Sequence, residues 1–412
     1  MLMLRPVPRE TLPSYLSRLA ASKGVQTPEF SYDLAGAFKR FLRCDPDVVR
    51  MLKNWARLSD RDMDEMLSWT GTPLSNLRLQ FRGESVISRA LRNTVVEGCP
   101  DCLREDAEDD PAEPLTQMAM RGDWQMREVT VCLRHNRMLV PLWTENTPLK
   151  RFDVQDQLSR ILDRIMSGDL DGDRVIPSDF DRWLDDRLSG RNDPTWLAPH
   201  GTAASAAFCR RFGQGLVPGA DVGNPIRRRH EAAAAGFAVT SRAPDTIMNS
   251  LVAASPGAST VSDPVRQAHG QFFFALESHL QTDRSFDIFR NVLREAVLDI
   301  WPVAAGAHVL GAALPERRLH SVASASFETG VDAERLRPLL IEAGALSPDD
   351  PRPDARATFD AKRFAPLLAD IPRLVTAKDM CARFGMTALE LATLEQAGVI
   401  RPLTAVAGAR AK

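Results

Sequence analysis

Apolar residues recur at helical spacing along most of this 412-residue chain. The first such stripe consists of Leu12, Tyr15, Leu16 and Leu19, which would lie on one face of a short helix. The same spacing predicts further helices at residues 34–42, 48–58, 154–165, 227–238, 245–253 and 288–300. Long runs of β-branched residues are scarce. We therefore predict a mainly α chain.

A tight turn is predicted near the end of the first hundred residues. Gly71-Thr72-Pro73 separates residues 60–68 from residues 74–82, and both flanking segments are interpreted as helices. Two helices joined in this way are compatible with a DNA-binding helix-turn-helix. A packed helical hairpin without DNA contact is the alternative.

An internal repeat occupies the C-terminal part of the chain. Residues 319–346 and 374–400 share a glycine at the same place, and the apolar residues around it correspond. Each unit is predicted to be a short helix, a glycine turn and a second helix, which is typical of a helix-turn-helix, with or without a wing. The second helices carry mixed to acidic charge, so protein-binding or spacer units are the alternative.

Between residues 99 and 143 the helical periodicity weakens and cysteine and histidine appear at short spacing. Residues 129–131 and 138–140 are predicted as two short strands around a turn. The chemistry-bearing residues form two pairs, each with two intervening residues: Cys99 with Cys102 and Cys132 with His135. Two such pairs can converge on one tetrahedral Zn²⁺ ion, and four protein ligands indicate a structural site. Buried thiols beside an unrelated histidine are the alternative.

Length and composition set the domain organisation. A chain of 412 residues with 44% hydrophobic and 26% charged residues is typical of a folded protein with more than one core. We predict an N-terminal helical region with helix-turn-helix character, a small zinc-binding module with short strands, a mixed helical and loop linker, a helical domain and the tandem helix-turn-helix-like repeats. Their predicted bounds are 1–95, 96–145, 146–225, 226–315 and 316–412.

The formal net charge of −2 gives no general reason for nucleic-acid binding, but arginines cluster locally. Between residues 78 and 92 four arginines are accompanied by one acidic residue, Glu84, and residues 227–229 are three consecutive arginines. With two arginines of the first repeat, these are the candidate nucleic-acid contacts: Arg78, Arg82, Arg89, Arg92, Arg227, Arg228, Arg229, Arg335 and Arg337. A solvated arginine surface is the alternative interpretation.

Other classes of protein find little support. No basic start followed by an apolar segment indicates a signal peptide, and no apolar stretch of about 18 residues predicts a membrane span, so we expect a cytoplasmic protein. Enzyme motifs are incomplete: His230-Glu231 begins a zinc-protease motif, but Ala234 stands where the second histidine is needed. We therefore predict a protein without enzymatic activity.

Several segments together resemble the TniQ family, which includes TnsD-type target selectors of bacterial transposons. The resemblance rests on residues 8–20 (PRETLPSYLSRLA) and on the ordered segments 99–106, 121–125 and 131–135. It covers about residues 5–145, and residues 317–322 with 328–331 are similar to the C-terminal part of longer members. No second complete zinc motif is recognised downstream, so the resemblance does not assign a subtype.

The resemblance implies an accessory protein of DNA transposition, which links a target to an AAA+ ATPase regulator and a transposase. DNA is an expected partner, and a guide-RNA effector complex and a homodimer are possible ones. Three residues of the resembling segments are expected to brace the zinc module, namely Arg121, Trp124 and Gln125. Two rival hypotheses are a sequence-specific helix-turn-helix transcription regulator and a protein-only scaffold without DNA contact.

Overall fold

A computed structural model describes residues 4–217, 223–254, 273–278 and 280–400. Residues 1–3 of the predicted N-terminal region and residues 401–412 of the predicted repeat region lie outside the described residues. The chain divides into two compact units, Met1–Ala243 and Pro244–Lys412. Both units are built mainly from helices with a few short strands, which confirms the predicted mainly α class.

The first unit begins with five helices around one apolar core. They are α1 (Leu12–Ala21), α2 (Thr27–Leu34), α3 (Phe38–Leu42), α4 (Pro46–Trp55) and α5 (Asp60–Thr70). The Thr11 hydroxyl accepts a hydrogen bond from the Ser14 backbone N–H and so caps α1. The predicted apolar stripe of α1 is buried and packs against residues of α3, α4 and α5.

The segment after α5 corrects one sequence prediction. Residues 74–82 do not form a second helix; they lie in an antiparallel meander of β1 (Thr72–Pro73), β2 (Arg78–Phe81) and β3 (Glu84–Ile87). Leu79 and Phe81 alternate with half-buried neighbours, which is the two-residue period of a strand. Arg82 and Gly83 both have positive φ, 48° and 82°, so the turn has the backbone twist that suits a two-residue β-hairpin.

The next segment holds the predicted small module. Its elements are β4 (Val95–Gly98), α6 (Pro100–Ala107), α7 (Pro114–Gln117), β5 (Val131–Cys132), β6 (Arg137–Met138) and β7 (Val140–Thr144). Strand β4 pairs antiparallel with β7, and β5 pairs antiparallel with β6. The two short strands predicted around a turn are thus confirmed, although the ends of each are shifted by one or two residues.

Short helices follow this module. They are α8 (Pro148–Arg151), α9 (Val154–Ser159) and α10 (Leu162–Ser167). The prediction of one continuous helix at 154–165 is therefore wrong in one respect, because α9 ends at residue 159 and a separate helix begins at residue 162. The Arg160 and Ile161 N–H groups each donate to the carbonyl three residues earlier, and this tighter winding ends α9.

The first unit is completed by α11 (Asp179–Leu188), α12 (Thr202–Leu216) and α13 (Pro225–Thr240). Glycine allows α12 and α13 to approach closely. A Cβ atom at Gly213 would lie 1.8 Å from the Ala232 carbonyl oxygen, and one at Gly236 would lie 1.8 Å from the Cys209 carbonyl oxygen. Any side chain at either position would separate the two helices.

The second unit contains α14 (Pro244–Ala254), a helical segment at 273–277 and α15 (Asp287–Ile300). Its further elements are β8 (His308–Val309), β9 (Ala312–Ala313), β10 (Leu319–Ser321), α16 (Val322–Thr329), α17 (Ala333–Glu342), β11 (Thr358–Asp360), α18 (Ala361–Asp370), α19 (Ala377–Phe384) and α20 (Ala388–Gln396). Strand β10 pairs antiparallel with β11, and β8 with β9. Helices α14 and α15 match two predicted segments, and α15 ends just before Trp301-Pro302, where proline prevents continuation.

Each sequence repeat contains two helices separated by a glycine in the left-handed conformation. Gly330 (φ 69°) follows α16 and Gly385 (φ 65°) follows α19, so both glycines end a helix where a Cβ would be strained. We call the pair α16–α17 the first hairpin and the pair α19–α20 the second hairpin. Among the described helices, none combines the length and the apolar character that a bilayer crossing needs.

Candidate metal centre

Two of the four predicted ligands are positioned by the junction of β4 and α6. Cys99 immediately follows the strand and is the residue before the helix, and Pro100 occupies the first helical position. Cys102 therefore lies in the first turn of α6, so that both sulfur atoms reach the same side of the junction. Both side chains are buried.

The other two ligands are positioned by the β5–β6 hairpin. Cys132 ends β5, and His135 lies in the turn before β6. Asn136 has a φ of 52° and completes this turn in the left-handed region, which asparagine tolerates better than most residues. The turn directs Nδ1 of His135 toward the sulfur atoms.

The four donor atoms all lie within 4.8 Å of one another. Nδ1 of His135 is 3.5, 3.4 and 3.5 Å from the sulfur atoms of Cys99, Cys102 and Cys132. The Cys102 and Cys132 sulfurs are 3.6 Å apart. A tetrahedral ion with ordinary metal–sulfur and metal–nitrogen bonds requires separations of about 3.8 Å between sulfurs and about 3.6 Å between sulfur and nitrogen. The residues fit a metal ion in composition and in spacing.

The thiols are arranged around one preferred negative charge. Hydrogen bonds from the Cys102 and Cys99 thiols lower the pKa of Cys132. The pKa of Cys102 is raised, chiefly because its thiol is hydrogen-bonded to Cys132 and also because it is buried. A metal ion would displace the remaining thiol protons, since thiolates are the species that bind it.

The carboxylate of Glu105 contacts the ring nitrogen of His135 that faces away from the sulfur atoms. Oε1 of Glu105 lies 2.7 Å from Nε2 of His135, on the side of the ring opposite the sulfur atoms. Arg134 forms an ion pair of 2.8 Å with the other oxygen of Glu105. A carboxylate in this place fixes the ring orientation and makes Nδ1 the nitrogen that binds the metal.

Glu105 was not among the residues singled out in the sequence. It lies three positions after Cys102 in α6, and residues at this spacing share a helix face. That spacing is the signal that could have identified it. The partner histidine is 30 residues away, so the sequence alone did not link the two residues.

The three predicted bracing residues lie in different environments. Arg121 is buried, donates to Oδ1 of Asp106 in α6 at 2.7 Å, and stands 5.2 Å from the centre of the Trp124 ring. Trp124 belongs to the apolar cluster that includes the three cysteines. Gln125 instead donates to the backbone oxygen of Trp69 at the end of α5, at 2.8 Å.

A glycine next to the first ligand allows the tryptophan to approach. A Cβ atom at Gly98 would lie 2.7 Å from Cδ1 of Leu142 and 3.0 Å from Cε3 of Trp124. Strand β4 therefore passes directly against these two side chains. This contact places the backbone before Cys99 in a fixed position relative to the apolar cluster.

Several of the predicted nucleic-acid contacts are held by other parts of the chain. Arg82 donates to the Leu188 carbonyl at 2.8 Å and its guanidinium lies 4.2 Å from the Trp69 ring centre. Three more of the predicted arginines form ion pairs: Arg227 with Asp173 at 2.7 Å, Arg229 with Glu97 at 2.6 Å and Arg337 with Asp354 at 2.7 Å.

The remaining predicted arginines are more accessible. Arg78 is half-buried and lies 3.5 Å from the Ser85 carbonyl oxygen. The exposed ones are Arg89, Arg92, Arg228 and Arg335. DNA contact by these residues stays a prediction.

The fold is that of a mainly α chain in which three cysteines and one histidine, at the spacing of a metal site, lie between a strand–helix junction and a short hairpin. The sequence model of the TniQ family matches residues 1–139, and this match confirms the resemblance. The matched range is similar to a family of transposition-associated proteins, and the four candidate metal ligands all lie inside it. No curated protein matches the chain.

Proposed function

We propose that this chain is a non-enzymatic, zinc-containing accessory protein of DNA transposition. The observation that carries the proposal is the coincidence of the TniQ match with a complete Cys₃His donor set at metal-site spacing. Three thiolates and an imidazole favour Zn²⁺, and four protein ligands leave no open position for a reacting water or substrate. A bound ion would join the β4–α6 junction to the β5–β6 hairpin, beside an apolar cluster that includes Leu103 and Trp124.

The chain would act as an adaptor between a target and the transposition machinery. In this proposal the TniQ region binds an AAA+ ATPase regulator, which in turn recruits the transposase, and the remainder of the chain helps to select the target. The module is suited to docking because Glu105 of α6 contacts His135 of the β5–β6 hairpin and Asp106 of α6 accepts from Arg121, so several segments are held to one helix.

The proposal is tested by counting insertions in cells that carry a donor element with its transposase and ATPase, with and without this chain. We expect insertions to fall to background without the chain and with Cys99→Ser, and the purified ATPase to be retained by the wild-type protein only. The matched control is Arg164→Ala, which removes an exposed arginine of α10. Unchanged insertion counts in the absence of the chain would contradict the proposal.

A second candidate concerns the second hairpin, which we propose binds protein and not DNA. Phe384 and Leu389 are 66% and 79% exposed, and Glu390 and Glu395 lie on the helix that would have to face DNA. Exposed apolar side chains favour a protein surface, whereas carboxylates are repelled by phosphates. Leu389→Ser should weaken binding of a protein partner and leave duplex DNA binding unchanged; a selective loss of DNA binding would favour a transcription regulator.

A further inference from the structure

Five guanidinium groups gather in the first unit, contributed by separate segments of the chain. They are those of Arg89, Arg127, Arg210, Arg211 and Arg229, here called the arginine cluster. The Arg127 backbone N–H donates to the Ala90 carbonyl at 3.4 Å, which brings the loop after Gln125 beside the segment that carries Arg89. Arg210 and Arg211 lie on α12 and Arg229 lies on α13, two helices that pack closely together.

Two carboxylates face the arginine cluster, the buried Glu128 and the half-buried Glu97, and each already pairs with an arginine. Oε1 of Glu128 accepts from Arg210 at 3.2 Å, and Oε2 of Glu97 accepts from Arg229 at 2.6 Å. In the described part of the chain, Arg127 and Arg211 form no ion pair with a carboxylate. Among the described residues, five guanidinium groups thus meet two carboxylates, so positive charge is in excess there.

Two nitrogen atoms of the arginine cluster lack a hydrogen-bond acceptor. Nε of Arg211 and Nε of Arg229 are buried and have no hydrogen-bond partner. Burial, followed by the neighbouring charge of Arg210, lowers the pKa of both Arg127 and Arg211. Arg127 is exposed and Arg211 is half-buried, so oxygen atoms of an anion at the surface can reach their guanidinium groups.

The shape of the guanidinium groups indicates which kind of anion they would bind. Guanidinium groups present a planar fork that matches phosphate oxygens, and the excess charge here is spread over a loop and a helix instead of one point. Such a distribution suits successive phosphates along a backbone better than one small anion. We propose that the arginine cluster binds the phosphodiester backbone of duplex DNA, through Arg127 and Arg211 in particular.

This inference rests on the proposed function, because a transposition accessory protein works close to DNA. It goes further by locating the contact at residues that local sequence did not single out together. Contacts to phosphate carry no sequence information, so the arginine cluster would position the protein on DNA and would not select the target sequence.

The test compares full-length wild-type protein with the double variant Arg127→Ala/Arg211→Ala in binding a labelled DNA duplex between 50 and 200 mM salt. We expect the slope of log affinity against log salt to be smaller by about 2 in the double variant, one unit for each lost phosphate contact. The Arg164→Ala control should keep the wild-type slope. Because the substitutions relieve repulsion between guanidinium groups, the melting temperature should be unchanged or higher.

Two results would overturn the inference: no duplex binding by the wild-type protein at 50 mM salt, or equal slopes for the wild type and a folded double variant. Arg127→Lys should restore binding in part, which a purely structural role would not explain. Failure of the proposed function is distinguishable, since it would appear as unchanged insertion counts together with the expected change in salt slope.

Discussion

The metal module and the two C-terminal hairpins are both small, yet they are held together differently. Around the metal centre, the three cysteines share a cluster with Trp124, and buried polar groups such as Arg121 complete the packing. The first hairpin has a clear apolar core, in which Leu336 and Leu340 are fully buried and Phe359 of β11 is buried beside them. In the second hairpin, Leu391 is the one buried side chain among the described residues.

This difference shows that a helical sequence pattern does not indicate which contacts stabilise the helices. The two hairpins have corresponding helices and glycine turns, but only the first is covered by β11 and α18. The metal module has short strands and one well-formed helix, and its three cysteines lie in an apolar cluster, so a bound metal would add a link between the β4–α6 junction and the β5–β6 hairpin. Stability should therefore respond to different perturbations in each region.

The largest expected effect is removal of the metal. Chelation should unfold residues 95–144, because structural zinc supplies on the order of 10 kcal/mol to small modules of this kind. The two hairpins contain no part of the donor set and should keep their protection. Hydrogen exchange followed segment by segment would measure this, and equal loss of protection in both regions would break the comparison.

A smaller effect is expected from matched substitutions in the two hairpins. Leu336 and Leu391 occupy corresponding positions of the repeat, so Leu336→Ala and Leu391→Ala form a natural pair. Leu336→Ala should cost about 2–5 kcal/mol in the free energy of unfolding, as is usual for a fully buried leucine. Leu391→Ala should cost clearly less, because the residues around it are largely exposed and can close over the space. Denaturant unfolding of the two variants gives both values, and equal costs would show that the hairpins are packed alike.

The smallest effect concerns the carboxylate behind the histidine ligand. Glu105→Gln should weaken metal affinity about 10- to 100-fold, since it replaces the charge that orients His135. Glu108→Gln is the matched control, because Glu108 follows α6 directly and is exposed. Competition with a chelating dye would measure both affinities. If the two variants retain the metal equally well, Glu105 has no supporting role.

The sequence was informative where structure depends on neighbours in the chain. The spacing of Cys99 and Cys102 places both donors at one strand–helix junction, and Gly330 and Gly385 mark the helix ends of the repeat. It was misleading at residues 74–82, where a positive φ at Arg82 permits a hairpin that the apolar spacing did not distinguish from a helix.

Long-range polar contacts could not be predicted in the same way. Arg229 was expected to contact nucleic acid, but it pairs with Glu97, 132 residues earlier in the chain. Arg210 pairs with Glu128 across 82 residues, and this pairing leaves Arg127 and Arg211 without a carboxylate partner among the described residues. Such partners are set by the packing of α12 and α13 against the metal module and not by local sequence.

The central claim is a structural zinc ion held by three sulfurs and one nitrogen within the TniQ region. X-ray absorption spectroscopy of the purified full-length chain, together with elemental analysis, tests it most directly. We expect one zinc per chain, with three sulfur neighbours at about 2.3 Å and one nitrogen at about 2.0–2.1 Å. Zinc should be lost in Cys99→Ser/Cys132→Ser. Absence of bound metal in the wild type, a shell of oxygen donors, or full zinc content in the double variant would contradict the account.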